Sequence, residues 1–127
     1  MNDVINKWHE FVTKSDTTIL DGLLAEDAVF HSPVVWTPQE GKQVTKMYLM
    51  SAGMVMKDFA YNKEVISEKH AVLEFTAKID DITVNGVDII TINEASKISE
   101  FKVMIRPLKA VNKIHEKMGE MLQKMKG

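Results

Sequence analysis

The residues of this chain that could do chemistry fall into no familiar catalytic spacing, and one short stretch draws the eye first. The stretch FHSPVVWTP, Phe30 to Pro38, sets a histidine beside a serine just ahead of a proline, inside an otherwise apolar run. His31 is a candidate general base and Ser32 a candidate ligand contact. Neighbours in an extended strand point to opposite faces, so if Ser32 lines a pocket, His31 faces away from it. A one-residue bulge at the proline would reverse that. A serine with no adjacent base is itself a poor proton acceptor. Asp88, in GVDIITI, shares strand parity with Ile90 and Ile92. A carboxyl on such an apolar face is desolvated, which raises its pKa and favours the neutral acid. That form can donate to a ligand carbonyl or a developing oxyanion. The plainer reading is a wet carboxylate at the start of the strand, paired with a lysine.

Trp8 lies on the apolar stripe of the first helix, where core packing is the ordinary role; its indole N–H donates but cannot act as a base. Tyr48 lies on the apolar face of a later helix and could donate its phenol into a pocket. Met54 belongs to a methionine-rich stripe with Met47, Met50 and Met56, and Met118, Met121 and Met125 recur near the end. Such spacing is first a core signal, but the adaptable thioether also suits a flexible pocket or a partner groove. No metal or cofactor is expected. His9, His31, His70 and His115 are far apart, with no HExxH spacing, no Gly-rich phosphate loop and no G-x-S-x-G elbow.

The elements that must hold these residues follow from periodicity. Val4, Ile5, Trp8, Phe11 and Val12 make one helix, with Asn2 or Asp3 as its cap; Ser15-Asp16 stops it and caps a short second helix ending at Asp27. AVFHSPVVW reads as a strand closed by Thr37-Pro38. Gly41 opens a longer helix in which Val44, Met47, Tyr48, Ser51, Met54 and Val55 share a face. From Asn62 the period changes to two. AVLEFTAKI places Leu73, Phe75, Ala77 and Ile79 on one side. Asp80-Asp81 is preferred as the next turn over Asn85-Gly86, with Gly86 as a strand bulge. GVDIITI and ISEFKVMIR pair across NEASK, Arg106-Pro107 closes the last strand, and a final helix carries Val111, Ile114, Met118, Met121 and Met125. Helices on one face of an antiparallel sheet make an α+β domain.

Composition narrows the class further. The 127 residues suit a single domain spanning 1–127, since domains commonly run to about 100–150 residues. The chain has no cysteine and a formal charge of −2. A disulfide framework and a thiolate metal site are thereby excluded, and no cationic block offers itself to nucleic acid. The N-terminus lacks a basic start before an apolar run, and no apolar stretch approaches the roughly 18 residues of a membrane span. The expectation is a cytoplasmic protein that engages neither nucleic acid nor membrane.

This layout, with LAEDAVFHSPV, GVDIITINEASKISEF and FKVMIRPLKAV, resembles the SnoaL-like branch of the NTF2-like superfamily over essentially the whole chain. The resemblance implies a cone: a curved antiparallel sheet wrapped around helices, with an internal pocket. The superfamily includes ketosteroid isomerase, polyketide cyclases, a dehydratase, an epoxide hydrolase and proteins that only bind ligands or partners, so the fold does not select a function. Ketosteroid isomerase uses an Asp base with a Tyr and a protonated Asp as oxyanion hole. By the resemblance, the base position before the strand proline falls at Ser32, the tyrosine position at Trp8 and the protonated aspartate at Asp88. Only Asp88 matches, which argues against ketosteroid isomerisation itself. The resemblance also turns Phe101, Val103 and Ile105 inward, an apolar lining suited to a hydrophobic ligand.

Two functions are therefore expected of the sequence. One is binding of a hydrophobic small molecule in an internal pocket, with isomerase- or cyclase-like chemistry at Asp88 as donor. The other is a non-catalytic module that holds a ligand or a partner. The resemblance further implies a homodimer through the sheet's outer face, with Val87, Ile89 and Thr91 as its apolar surface.

Overall fold

A computed structural model describes residues 1–126, with side chains through Lys124; Met125, assigned above to the last helical stripe, lies outside the described side chains. Helix α1 (Asn2–Lys14) buries Val4, Ile5, Trp8 and Phe11 along one stripe, as the spacing predicts. Its N-cap is Met1, with no side-chain cap from Asn2 or Asp3. Ser15 ends it in the left-handed region, and Asp16 caps α2 (Thr17–Leu23) by accepting from the Thr18 N–H at 2.9 Å.

Strand β1 (Leu24–His31) starts earlier than its pattern suggests, because the pairing slips between Leu24 and Val29 and breaks the two-residue period. It also ends earlier, at His31, so 32–36 form a loop rather than a strand. The two-residue strand β2 (Gln39–Glu40) pairs with β1 and leads into α3 (Lys42–Val55), whose N-cap is Gly41 at φ 111°. The buried face of α3 is rotated from the expected one. Thr45, Leu49 and Ser51 are buried, and Thr45 Oγ1 donates to the Ala28 carbonyl at 3.3 Å, which ties the helix to β1.

The remaining strands are β3 (Lys57–Ile66), β4 (His70–Ile79), β5 (Ile82–Ile92) and β6 (Ile98–Arg106), followed by α4 (Leu108–Lys126). One sheet runs in the order β2-β1-β6-β5-β4-β3. It is antiparallel at every pairing except β1 with β6, which is parallel and sets β1 between β6 and the short edge strand β2. The Asp80-Asp81 turn joins β4 to β5, with Ile79 paired to Ile82. Inward residues of β4, β5 and β6 pack with the apolar stripes of α1, α2, α3 and α4 in one core.

Gly86 is not a bulge: its pairing with Phe75 and Ile105 is regular on both sides. Its lack of a side chain makes room instead. A Cβ there would lie 2.6 Å from Phe75 Cζ and 2.7 Å from the Met104 carbonyl oxygen. One of those is backbone and cannot turn away. Gly86→Ala is accordingly expected to cost about 2 kcal/mol, the ordinary penalty of overpacking. Urea denaturation checks this; an unchanged midpoint would mean that the sheet relaxes around a methyl group.

Candidate functional site

Between the sheet's inner face and helices α1, α3 and α4 lies a cavity of about 380 Å³. Its walls are apolar for the reasons the strands and helices are: alternation on β6 turns Phe101, Val103 and Ile105 inward, and α3 and α4 contribute Met54 and Met118. Phe30 and Tyr48 stack with ring centroids 4.9 Å apart, and Phe101 packs against Trp8 at 4.9 Å. Among the described lining residues Asp88 is the one acid.

Strand β5 carries Asp88 inward because it has the parity of Gly86, Ile90 and Ile92. The residue is 5 % exposed. It does not stay wet, and it pairs with no lysine. Its partner is a tyrosine. Tyr61 on β3 donates its hydroxyl to Asp88 Oδ2 at 2.5 Å, and Trp8 Nε1 donates to the Tyr61 oxygen at 2.7 Å. Burial raises the Asp88 carboxyl to about 7, against a smaller lowering by the Tyr61 hydrogen bond. Burial, and then the nearby Asp88 charge, push the Tyr61 phenol well above its ordinary value, so it remains a neutral donor. An acid poised near neutrality serves either as a proton donor or, once ionised, as a base.

The other sequence candidates divide between the two faces. Trp8, Ser32, Tyr48, Met54, Phe101, Val103 and Ile105 all line the cavity with Asp88. His31 does not: it points to the outer face, with Nε2 3.6 Å from Glu100 Oε2. Strand alternation carries it there, since no bulge intervenes between Phe30 and His31. Ser32 is no free hydroxyl either. Its Oγ accepts from the Val34 N–H at 3.1 Å and shapes the loop. No group of three or more metal-ligating side chains gathers among the described residues.

Tyr61 is the site residue that the sequence patterns do not bring out. Its signal is the alternation of Phe59, Ala60 and Tyr61 just ahead of the expected strand start. The pairing of β3 with β4 slips on both sides of that triplet, and Asp58 has a positive φ, so the two-residue period is too short to stand out.

The curved mixed sheet, the helices on one face and the apolar cavity between them define an NTF2-like α+β fold. A steroid delta-isomerase from Pseudomonas aeruginosa is 32% identical; the match covers 98% of this chain and 92% of that one, with a TM-score of 0.94. A protein of cystatin-like fold from Silicibacter pomeroyi is also 32% identical, over 94% of this chain and 85% of its own, with a TM-score of 0.89. At 18% identity, the epoxide hydrolase/cyclase-like enzyme SalBIII of salinomycin pyran-ring formation shares the fold, with a TM-score of 0.67 over 83% of this chain and 89% of that one. The chain belongs to the NTF2-like superfamily, as a SnoaL-like domain. No protein-family model matches the sequence, and no curated protein matches it. No helix among the described residues is long and apolar enough to cross a membrane.

Proposed function

We propose that the cavity binds an apolar, carbonyl-bearing small molecule and that Asp88 meets its carbonyl oxygen as a neutral hydrogen-bond donor. In isomerase- or cyclase-like chemistry the α-carbon proton of that ketone passes to the imidazole of His115, which lines the same cavity, and the enolate oxygen that forms accepts from Asp88. The observation that carries this reading is a buried carboxyl as the one acid in an apolar wall. A donor in a dry site is worth more than in water, because no solvent competes for the oxyanion. The similarity to an isomerase and to a cyclase-like enzyme supports the class of reaction.

A second reading has its own observation. By the resemblance, Ser32 falls where the family's isomerase carries its base, and its oxygen is already engaged by the Val34 N–H. With no carboxylate there, the protein would hold its ligand without turning it over. Native mass spectrometry of the protein from its own host, followed by incubation with a β,γ-unsaturated ketosteroid, separates the readings. A bound apolar ketone together with proton transfer supports the enzyme; a bound ketone without turnover supports the binding module. A cavity that takes up no apolar ketone in either setting contradicts both.

Two copies associate, in this reading, through the sheet's outer face. Val65, Val72 and Met104 are exposed there beside half-buried Val87 and Ile89. Thr91, also expected in that surface, has its hydroxyl 3.1 Å from His70 Nδ1. Light scattering after size exclusion tests the pairing, and a monomer at micromolar concentration would refute it.

A further inference from the structure

Hydrogen-bond direction in the Trp8–Tyr61–Asp88 chain is fixed by chemistry. An indole nitrogen can only donate, so the Tyr61 oxygen is the acceptor in the contact with Trp8. The single hydroxyl hydrogen of Tyr61 is then free to serve Asp88 Oδ2. No buried side-chain oxygen or nitrogen among the described residues lacks a partner, so the other Asp88 oxygen, Oδ1, is accessible. Asp88 lines the cavity, and with Oδ2 held by Tyr61, Oδ1 is the oxygen left to meet it.

We infer that Trp8, acting through Tyr61, is a positioning device that keeps the carboxyl proton of Asp88 on Oδ1, the oxygen left to meet the cavity. Were the proton on Oδ2, the Tyr61 oxygen would accept from both Trp8 and Asp88, and its own hydrogen would have no acceptor. In a buried site such an orphan is costly. The arrangement leaves one orientation of the acid, aimed at whatever occupies the cavity. It also gives a tryptophan on the first helix a polar role beyond packing. The inference refines the proposed donor role of Asp88, but it concerns the unliganded protein and is read there.

The other titratable groups that face this chain are few. Glu64 on β3 and His9 on α1 pair with each other, with the His9 ring edge-on to Tyr61. Tyr48 on α3 and His115 on α4 line the cavity.

One substitution decides the matter. If Tyr61 donates to Asp88, its bond favours the ionised carboxylate, and Tyr61→Phe raises the Asp88 midpoint by about one pH unit. If Tyr61 instead accepts the proton of the neutral acid, its hydroxyl can still turn to donate to the carboxylate, so it bonds both ionisation states and the same variant leaves the midpoint nearly unmoved. Carbon-13 carboxyl NMR of unliganded wild-type and Tyr61→Phe protein measures both. A rise supports the inference; a fall or an unmoved midpoint overturns it. A second reading needs no substitution to be tolerated: in the wild-type protein the Trp8 indole N–H resonance should titrate with the Asp88 midpoint. A Trp8 signal that ignores that titration would also overturn it. Failure of the protein to bind any ketone would instead count against the donor role and leave these titrations standing.

Discussion

Asp88→Asn is expected to abolish a loss of stability that the wild-type protein undergoes between about pH 4 and pH 7. Burial holds the folded carboxyl at about 7, against 3.8 for the ordinary group. Across that window the folded chain keeps a proton that the unfolded chain has released, so stability falls as pH rises. The contribution is complete below about pH 4, is lost on the way to 7, and changes no further above it. About three pH units at 1.36 kcal/mol each amount to about 4 kcal/mol. Asparagine has nearly the same shape, stays neutral throughout, and can still accept from Tyr61. Urea denaturation of both proteins from pH 4 to pH 8 should therefore show the variant gaining on the wild type by about that amount. The difference between the two curves matters, since ion pairs such as Lys46 with Asp21 are common to both. Parallel curves would mean that Asp88 ionises in the folded protein as it does in water.

The second large effect is a gain. Ser32→Asp is expected to raise isomerisation of a β,γ-unsaturated ketosteroid by about 100-fold or more, the ordinary worth of a positioned general base. Ser32 lines the same cavity as Asp88, at the start of the 32–36 loop, whose Pro33, Val34 and Val35 line it too. Its present bond to the Val34 N–H is one that an aspartate side chain also makes, so the loop can keep its shape. The introduced carboxylate would sit beside the open edge of the cavity while Asp88 stays buried. Two carboxyls in unlike surroundings then divide into base and acid. Combining the change with Asp88→Leu should remove the gain, because the enolate would lose its donor. A variant that binds the ketone yet gains no rate would show that Ser32 does not look toward the reacting carbon.

Much of this site is legible in the amino-acid sequence. The parity of Asp88 with Ile90 and Ile92 places it on the apolar face, and the same rule sends His31 to the other side of β1 from Phe30. Period-two alternation in AVLEFTAKI and the stripe of α1 are equally plain, because both are long and uninterrupted. Failures cluster where the backbone departs from a regular period. The slip in β1 hides its start at Leu24, and the slips in β3 hide Phe59 and Tyr61. Gly86 misleads for a different reason: glycine within a strand signals either a bulge or a close approach, and only the Phe75 ring packed over it decides between them. The parallel pairing of β1 with β6 joins segments nearly seventy residues apart, and no local pattern encodes that. The partner of Asp88 is invisible for the same reason, since Tyr61 reaches it across the width of β4.

If Asp88 receives a carbonyl oxygen as a neutral acid inside an apolar cavity, affinity for a ketone must fall as that acid ionises. A donor that must be protonated binds only in its neutral form. Calorimetric titration of the wild-type protein with a 4-ene-3-ketosteroid should give a Kd that is constant below about pH 6. Above about pH 8 it should rise about tenfold per pH unit, with Asp88→Asn removing the dependence. Affinity that holds level from pH 5 to pH 9, or that strengthens as Asp88 ionises, would contradict the account.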